Sequence, residues 1–173
     1  GELSARIQAW FDAGIENLPF APDSGTPVTL HITHSWGGGV AQWLHSFIET
    51  DKHQHHYQLR SEGPQSGQGF GQRLSLYAAN ELRCPIASWW LTPAIESISD
   101  SHEAYREILS EICNRYGIGR VMISSLVGHS LDALRTGLGS LQILHDHFPV
   151  WPLLSVDPGP YLQEAATPDL ERA

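Results

Sequence analysis

The stretch that decides the fold is Val28-Thr29-Leu30-His31-Ile32-Thr33-His34-Ser35-Trp36-Gly37-Gly38-Gly39-Val40, which continues through Trp43, Leu44, Phe47 and Ile48. Val28–Thr33 is rich in β-branched and apolar residues and reads as a strand. The spacing of Val40, Trp43, Leu44, Phe47 and Ile48 is that of one helical face. Between them lie three glycines. Strand, glycine turn and helix in that order open a βαβ unit.

Working outward, residues 56–60, 74–77 and 86–91 read as further strands, the last closed by Pro93. Ala104, Tyr105, Ile108, Leu109, Ile112, Cys113 and Tyr116 line one helical face ending at Gly117, and Asp100 with Glu103 has the spacing of a capping box. Residues 121–126 read as a buried strand, 130–138 as a short helix and 141–144 as a last strand. Residues 62–72 form a Gly/Gln/Ser-rich loop, either a flap or a long connection. Strands alternating with helices predict an α/β domain, Rossmann-like, with a mostly parallel sheet flanked by helices. Three segments follow: an N-terminal helix over 3–18 with a proline-rich linker (1–27), the α/β domain (28–152), and a polar tail without periodicity (153–173).

Length and composition limit the functional classes. A chain of 173 residues fits one such domain. Ten Lys and Arg stand against 19 Asp and Glu, a net charge of −9, which argues against a nucleic-acid binder that must meet phosphates with a basic stripe. The single lysine, Lys52, excludes a polybasic membrane anchor, and no apolar run reaches the length of a transmembrane helix. Cys84 and Cys113 are too few for a disulfide framework, and no signal-peptide pattern opens the chain, so a cytoplasmic protein is expected.

In a parallel sheet, ligands bind beyond the carboxyl ends of the strands, so the residues there carry the functional reading. Gly37, Gly38 and Gly39 let backbone N–H groups approach an anion at a helix N-terminus. Their spacing is neither that of a dinucleotide fingerprint nor that of a P-loop. Ser130 is a natural helix cap, with His129 beside it. His145 and His147 fall on one face of an extended chain with Asp146 turned away, a conceivable metal pair that lacks a third ligand. Gly128-His129-Ser130-Leu131-Asp132 nearly fits the nucleophile elbow of an α/β-hydrolase, an esterase reading with Ser130 as nucleophile. The chain order of acid and histidine disagrees with that triad, and Asp132 stands where glycine is needed. His53, His55 and His56 read as a surface turn, and Trp89-Trp90 as core.

Taken together, residues 31–40, Ser124-Ser125-Leu126-Val127-Gly128-His129-Ser130-Leu131-Asp132-Ala133-Leu134 and His145-Asp146-His147-Phe148-Pro149 resemble family 4-type glycosyltransferases of the GT-B fold. The resemblance is to their N-terminal, acceptor-side domain in bacterial surface-polysaccharide enzymes, and it spans roughly residues 28–152. It implies retaining transfer of a sugar from a nucleotide-sugar substrate to a glycan or lipid-linked acceptor, with no further cofactor. Carried over by position, Gly37, Gly38 and Gly39 border the donor diphosphate and the acceptor, and His145 faces the transferred sugar. Asp146 and His129 contact the acceptor. The resemblance also implies a second, nucleotide-holding domain. This chain does not contain that domain, so the expectation is one domain of a longer enzyme, inactive alone and working at the inner face of the membrane. The remaining alternative is a non-catalytic Rossmann-like domain that binds a partner chain.

Overall fold

The computed structural model describes residues 25–63 and 69–145. The expected helix over 3–18, most of its linker, the middle of the 62–72 loop and the tail lie outside them.

Nine elements follow one another. They are β1 (Val28–His34), α1 (Gly38–Thr50), β2 (His55–Ser61), β3 (Arg73–Ala78), β4 (Ala87–Trp90), α2 (Glu103–Arg115), β5 (Arg120–Ile123), a 3₁₀ turn (Leu131–Arg135) and β6 (Gly139–Gln142). The six strands form one sheet in the order β4-β3-β2-β1-β5-β6. β1 is paired in parallel with β2 on one side and β5 on the other, and β6 adds parallel to β5. β2, β3 and β4 form an antiparallel meander, so only β3 runs against the rest. The domain is therefore an α/β sheet with mostly parallel strands, as the alternation of patterns predicts.

The two helices cover opposite faces, and the strands explain why. Neighbouring residues of a strand point to opposite sides. Leu30 and Ile32 of β1 join Leu59, Leu74, Leu76, Tyr105, Ile112 and Ile123 in one apolar core, against the buried stripe of α2. Each fully buried Leu or Ile there contributes about 1.5–3 kcal/mol. The alternate residues Thr29, His31 and Thr33, with His56, Gln58 and Ser75 on neighbouring strands, are also buried but lie on the α1 side. Here α1 contributes Leu44 as its one fully buried side chain, and Phe47 meets the His31 and His56 rings edge-on.

Buried polar groups must be paired, and under α1 they form a chain. His56 Nε2 lies 3.2 Å from the Asp51 carbonyl, which can only accept, so that nitrogen carries the proton. His56 Nδ1 is then the acceptor for the His31 Nε2–H at 2.9 Å. His31 Nδ1 is left as a buried lone pair with no partner among the described residues. His56 is thus an interior residue of β2, not part of a surface turn with His53 and His55.

Several boundaries move for identifiable reasons. His102, not Asp100, caps α2, its Nδ1 accepting the Tyr105 N–H at 3.3 Å. Asp100 instead accepts the Ser97 N–H at 2.9 Å. β5 stops at Ile123, since Ser124 and Ser125 both turn their N–H groups to the Ile32 carbonyl. The 130–138 helix shrinks to a 3₁₀ turn, and β6 begins at Gly139, ahead of the expected 141. Trp89 packs against the core, whereas Trp90 is exposed beneath the Arg73 guanidinium.

Burial, with His56 beside it, pushes His31 down from 6.5 to about 3. Between those two values unfolding takes up a proton at His31, so stability falls as pH drops, by about 1.4 kcal/mol per pH unit for this one group. Urea unfolding from pH 7 to 4 is expected to show this slope, and His31→Gln to lose one proton's worth of it.

Candidate functional site

The carboxyl ends of β1, β2, β5 and β6 bring four segments to one edge of the sheet: residues 34–39, 61–63, 124–130 and 143–145. Ser35 N–H donates to the Ser61 carbonyl at 3.0 Å, and Ser35 Oγ accepts the Gly63 N–H at 2.7 Å, tying the first two together. Ile143 N–H donates to the Ile123 carbonyl, carrying the β5–β6 ladder toward His145.

Gly37 caps α1 with φ 81° and ψ −145°, and Gly38 has φ 73°, conformations in which side chains are strained. Gly39 is different. Its φ is unremarkable, and a Cβ at Gly37, Gly38 or Gly39 would meet nothing within 4 Å. Glycine inside a helix costs up to about 1 kcal/mol relative to alanine, and at Gly39, in the first turn of α1, no packing or backbone demand accounts for it. The space before this turn is open. Among the described residues no side chain caps α1, and no acidic residue sits in its first turn, which leaves its leading N–H groups open to that space.

His145 packs against α1. Its ring stands edge-on to Trp43 at 5.0 Å, and its Nε2 is buried without a hydrogen-bond partner among the described residues. Ser124 Oγ, on the last residue leaving β5, is a second buried polar atom in that condition. Asp146 and His147 lie outside the described residues, and with them the conceivable metal pair. Among the described residues no group of three metal-ligating side chains occurs.

His129 is fully buried. The Thr33 carbonyl, 2.6 Å from Nε2, requires a proton there, and Nδ1 therefore accepts the Tyr105 hydroxyl at 3.0 Å. Burial pushes its pKa down to about 4, against the pull of the Thr33 carbonyl. With both nitrogens engaged inside the protein, His129 braces the 126–130 turn to β1 and α2. Ser130 is buried as well. Its Oγ donates to the Asp100 carbonyl and accepts the Asp132 N–H at 3.1 Å. Asp132 is held by the His102 N–H, Arg106 and Arg135. Among the described residues no histidine is hydrogen-bonded to Ser130, so these contacts give the esterase reading no support.

Two functional-edge residues escape the sequence reading. Arg60 stacks over Tyr77 at 4.8 Å and directs Nε and Nη2 to Gln58 Oε1. Phe70 contacts both Trp36 and His34. The signal for Arg60 was the alternation of His56, Gln58 and Arg60 on β2, which marks a polar face. Phe70 had none beyond being the single bulky residue of a glycine-rich loop.

No protein family, curated protein or solved structure matches the chain. No helix among the described residues is long and apolar enough to cross a membrane.

Gly128, at φ 69°, is the tightest point of this edge. A Cβ there would run into Ser61 Oγ and lie 2.5 Å from the Gly71 nitrogen and 2.8 Å from Phe70 Cβ. Gly137 has φ 77° but open space around it. Gly137→Ala is expected to cost about 1–2 kcal/mol through backbone strain alone, and Gly128→Ala about 3–4 kcal/mol because overlap adds to it. Denaturant unfolding of both variants checks the difference. A serine-reactive fluorophosphonate is expected to leave Ser130 unlabelled in the folded chain, with mass spectrometry as the readout.

Proposed function

We propose that this chain is the N-terminal, acceptor-side domain of a retaining glycosyltransferase of the GT-B type. In this reading the complete enzyme moves a sugar from a nucleotide-sugar donor to a glycan or lipid-linked acceptor, at the inner face of the membrane, and a second domain holds the nucleotide. The observation that carries the reading is the open, uncapped glycine turn at residues 37–39, with the unpartnered His145 Nε2 on the same edge.

The chemistry follows from charge. When the bond between the sugar and the donor diphosphate breaks, negative charge grows on the leaving oxygen. Fixed N–H donors in a partly dry site stabilise such charge without reorganising. The leading amides of α1 supply donors of that kind, reinforced by the positive end of the helix. His145 supplies an imidazole nitrogen that has no partner among the described residues. Its contact with Trp43 holds the ring in place. Gly39 lacks a side chain so that the diphosphate can reach the backbone.

The test uses a substitution that separates folding from binding. Gly39→Asp meets no neighbour within 4 Å and puts a carboxylate in the first turn of α1, where it favours the helix by about 0.3–1 kcal/mol. Inorganic pyrophosphate and uridine diphosphate are expected to shift the amide resonances of residues 37–40 in the wild-type chain. In Gly39→Asp they are expected to bind at least about tenfold more weakly, with thermal stability unchanged or raised. Equal binding by both chains, or no shift at residues 37–40 in either, overturns the reading.

A further inference from the structure

Trp36 is 66% exposed, more than any other large apolar side chain among the described residues. It is nonetheless held in place. Its backbone N–H donates to His34 Nδ1 at 3.1 Å, and its ring packs 5.7 Å from Phe70 and edge-on to His34 at 6.1 Å. Phe70 is itself fixed, since its Cβ abuts Gly128 and its ring lies over Gly63, where a Cβ would come within 2.7 Å of Cζ. An indole that is ordered but left in water has met the entropic cost of binding in advance.

His34, whose ring meets both Trp36 and Phe70, also lines a cavity of about 100 Å³ with Thr33, Ser35, Gly37, Gln58 and Arg60 among others. Ala41, Leu44 and Leu82 complete a lining of mixed character, and Arg60 forms no ion pair among the described residues. At that volume, the scale of a few water molecules, the cavity has room for hydroxyl or hydroxymethyl groups of a ligand. Glu62, which accepts the Tyr77 hydroxyl at 2.9 Å, adds a negative charge at the end of β2 and disfavours an anionic ligand.

An aromatic face next to a pocket of hydroxyl-sized hydrogen-bonding groups suits an amphiphilic ring. A pyranose has one: its C–H groups lie on a face and its hydroxyls project from the edge. We propose that Trp36 and Phe70, with the Gln58–Arg60 cavity, form the subsite for a neutral pyranose of the acceptor. This rests on the transferase reading, which puts the acceptor beside the glycine turn. Stacking on Trp36 fixes the plane of the ring. The cavity selects which hydroxyl or hydroxymethyl group points inward, and so which sugar is accepted.

The test is saturation-transfer NMR on the full chain with methyl glycosides of glucose, galactose, mannose, rhamnose and N-acetylglucosamine. At least one is expected to receive saturation and to shift the Trp36 indole N–H. Trp36→Ala is expected to weaken that binding by at least about tenfold, while Trp36→Phe retains most of it. Arg60→Gln is expected to change the order of preference among the five. Trp90→Ala, the exposed tryptophan of the far edge strand, should bind as wild type does. The subsite is overturned if no glycoside touches Trp36, or if Trp36→Ala binds as well as wild type.

Pyrophosphate titration of the same samples separates the two ideas. Shifts at residues 37–40 without glycoside binding sink the subsite and leave the transferase reading standing. Glycoside binding at Trp36 without those shifts sinks the diphosphate site and leaves a carbohydrate platform.

Discussion

Everything in this domain hangs on β1. It is hydrogen-bonded on both sides, to β2 and β5, and buried on both faces from Val28 to Thr33. A strand in that position has no solvent-facing side on which to place polar residues, so each must find an internal partner. Leu30 and Ile32 meet the requirement by packing with α2. Thr29 and His31 meet it with hydrogen bonds to Gln54 and His56. The same strand thus sets an apolar layer against a polar one, and α1 covers the polar layer.

That asymmetry shapes the candidate site. The core under α2 is close-packed and leaves little room at the sheet edge, where Gly128, Gly71 and Phe70 interlock. The layer under α1 is looser in chemistry, with atoms at His31, Ser124 and His145 that find no partner among the described residues. Open space and spare hydrogen-bonding capacity therefore fall together on the α1 side, at the end where Gly37 and Gly38 lift the chain off β1. The buried bond from His129 to the Thr33 carbonyl matters here although it touches no ligand. It fixes the last turn of β1, from which the glycine turn departs.

The fold was legible because its signals are local and repeated. Leu30 and Ile32 alternate as a buried strand does, and the spacing of Tyr105, Ile108, Leu109 and Ile112 is that of a helix. The glycines at 37–39 mark the break between two periods. What was not legible depends on partners distant in sequence. His129 stands beside a helix cap, and nothing near it in sequence says that Thr33 and Tyr105 will occupy both its nitrogens. His56 sits among polar neighbours that resemble a turn, and only pairing with β1 buries it. The α2 cap went to His102 over Asp100, since cap residues are interchangeable in pattern and are decided by where the preceding loop must run. Phe70 needed the three-dimensional meeting of two loops before it could be placed beside Trp36.

The strand order carries a consequence for how the chain is made. β1 through β4 are neighbours in both sequence and space, so this half of the sheet can form as soon as residue 90 is available. The other edge of β1 waits for β5, which pairs Thr29 with Arg120. During synthesis, β1 therefore presents an open edge of amides and carbonyls over the whole time needed to make α2 and the turn after it. An unpaired, apolar edge is a template for foreign strands, and contacts distant in sequence are slow to form. The most protected strand of the finished domain is the most vulnerable one of the nascent chain.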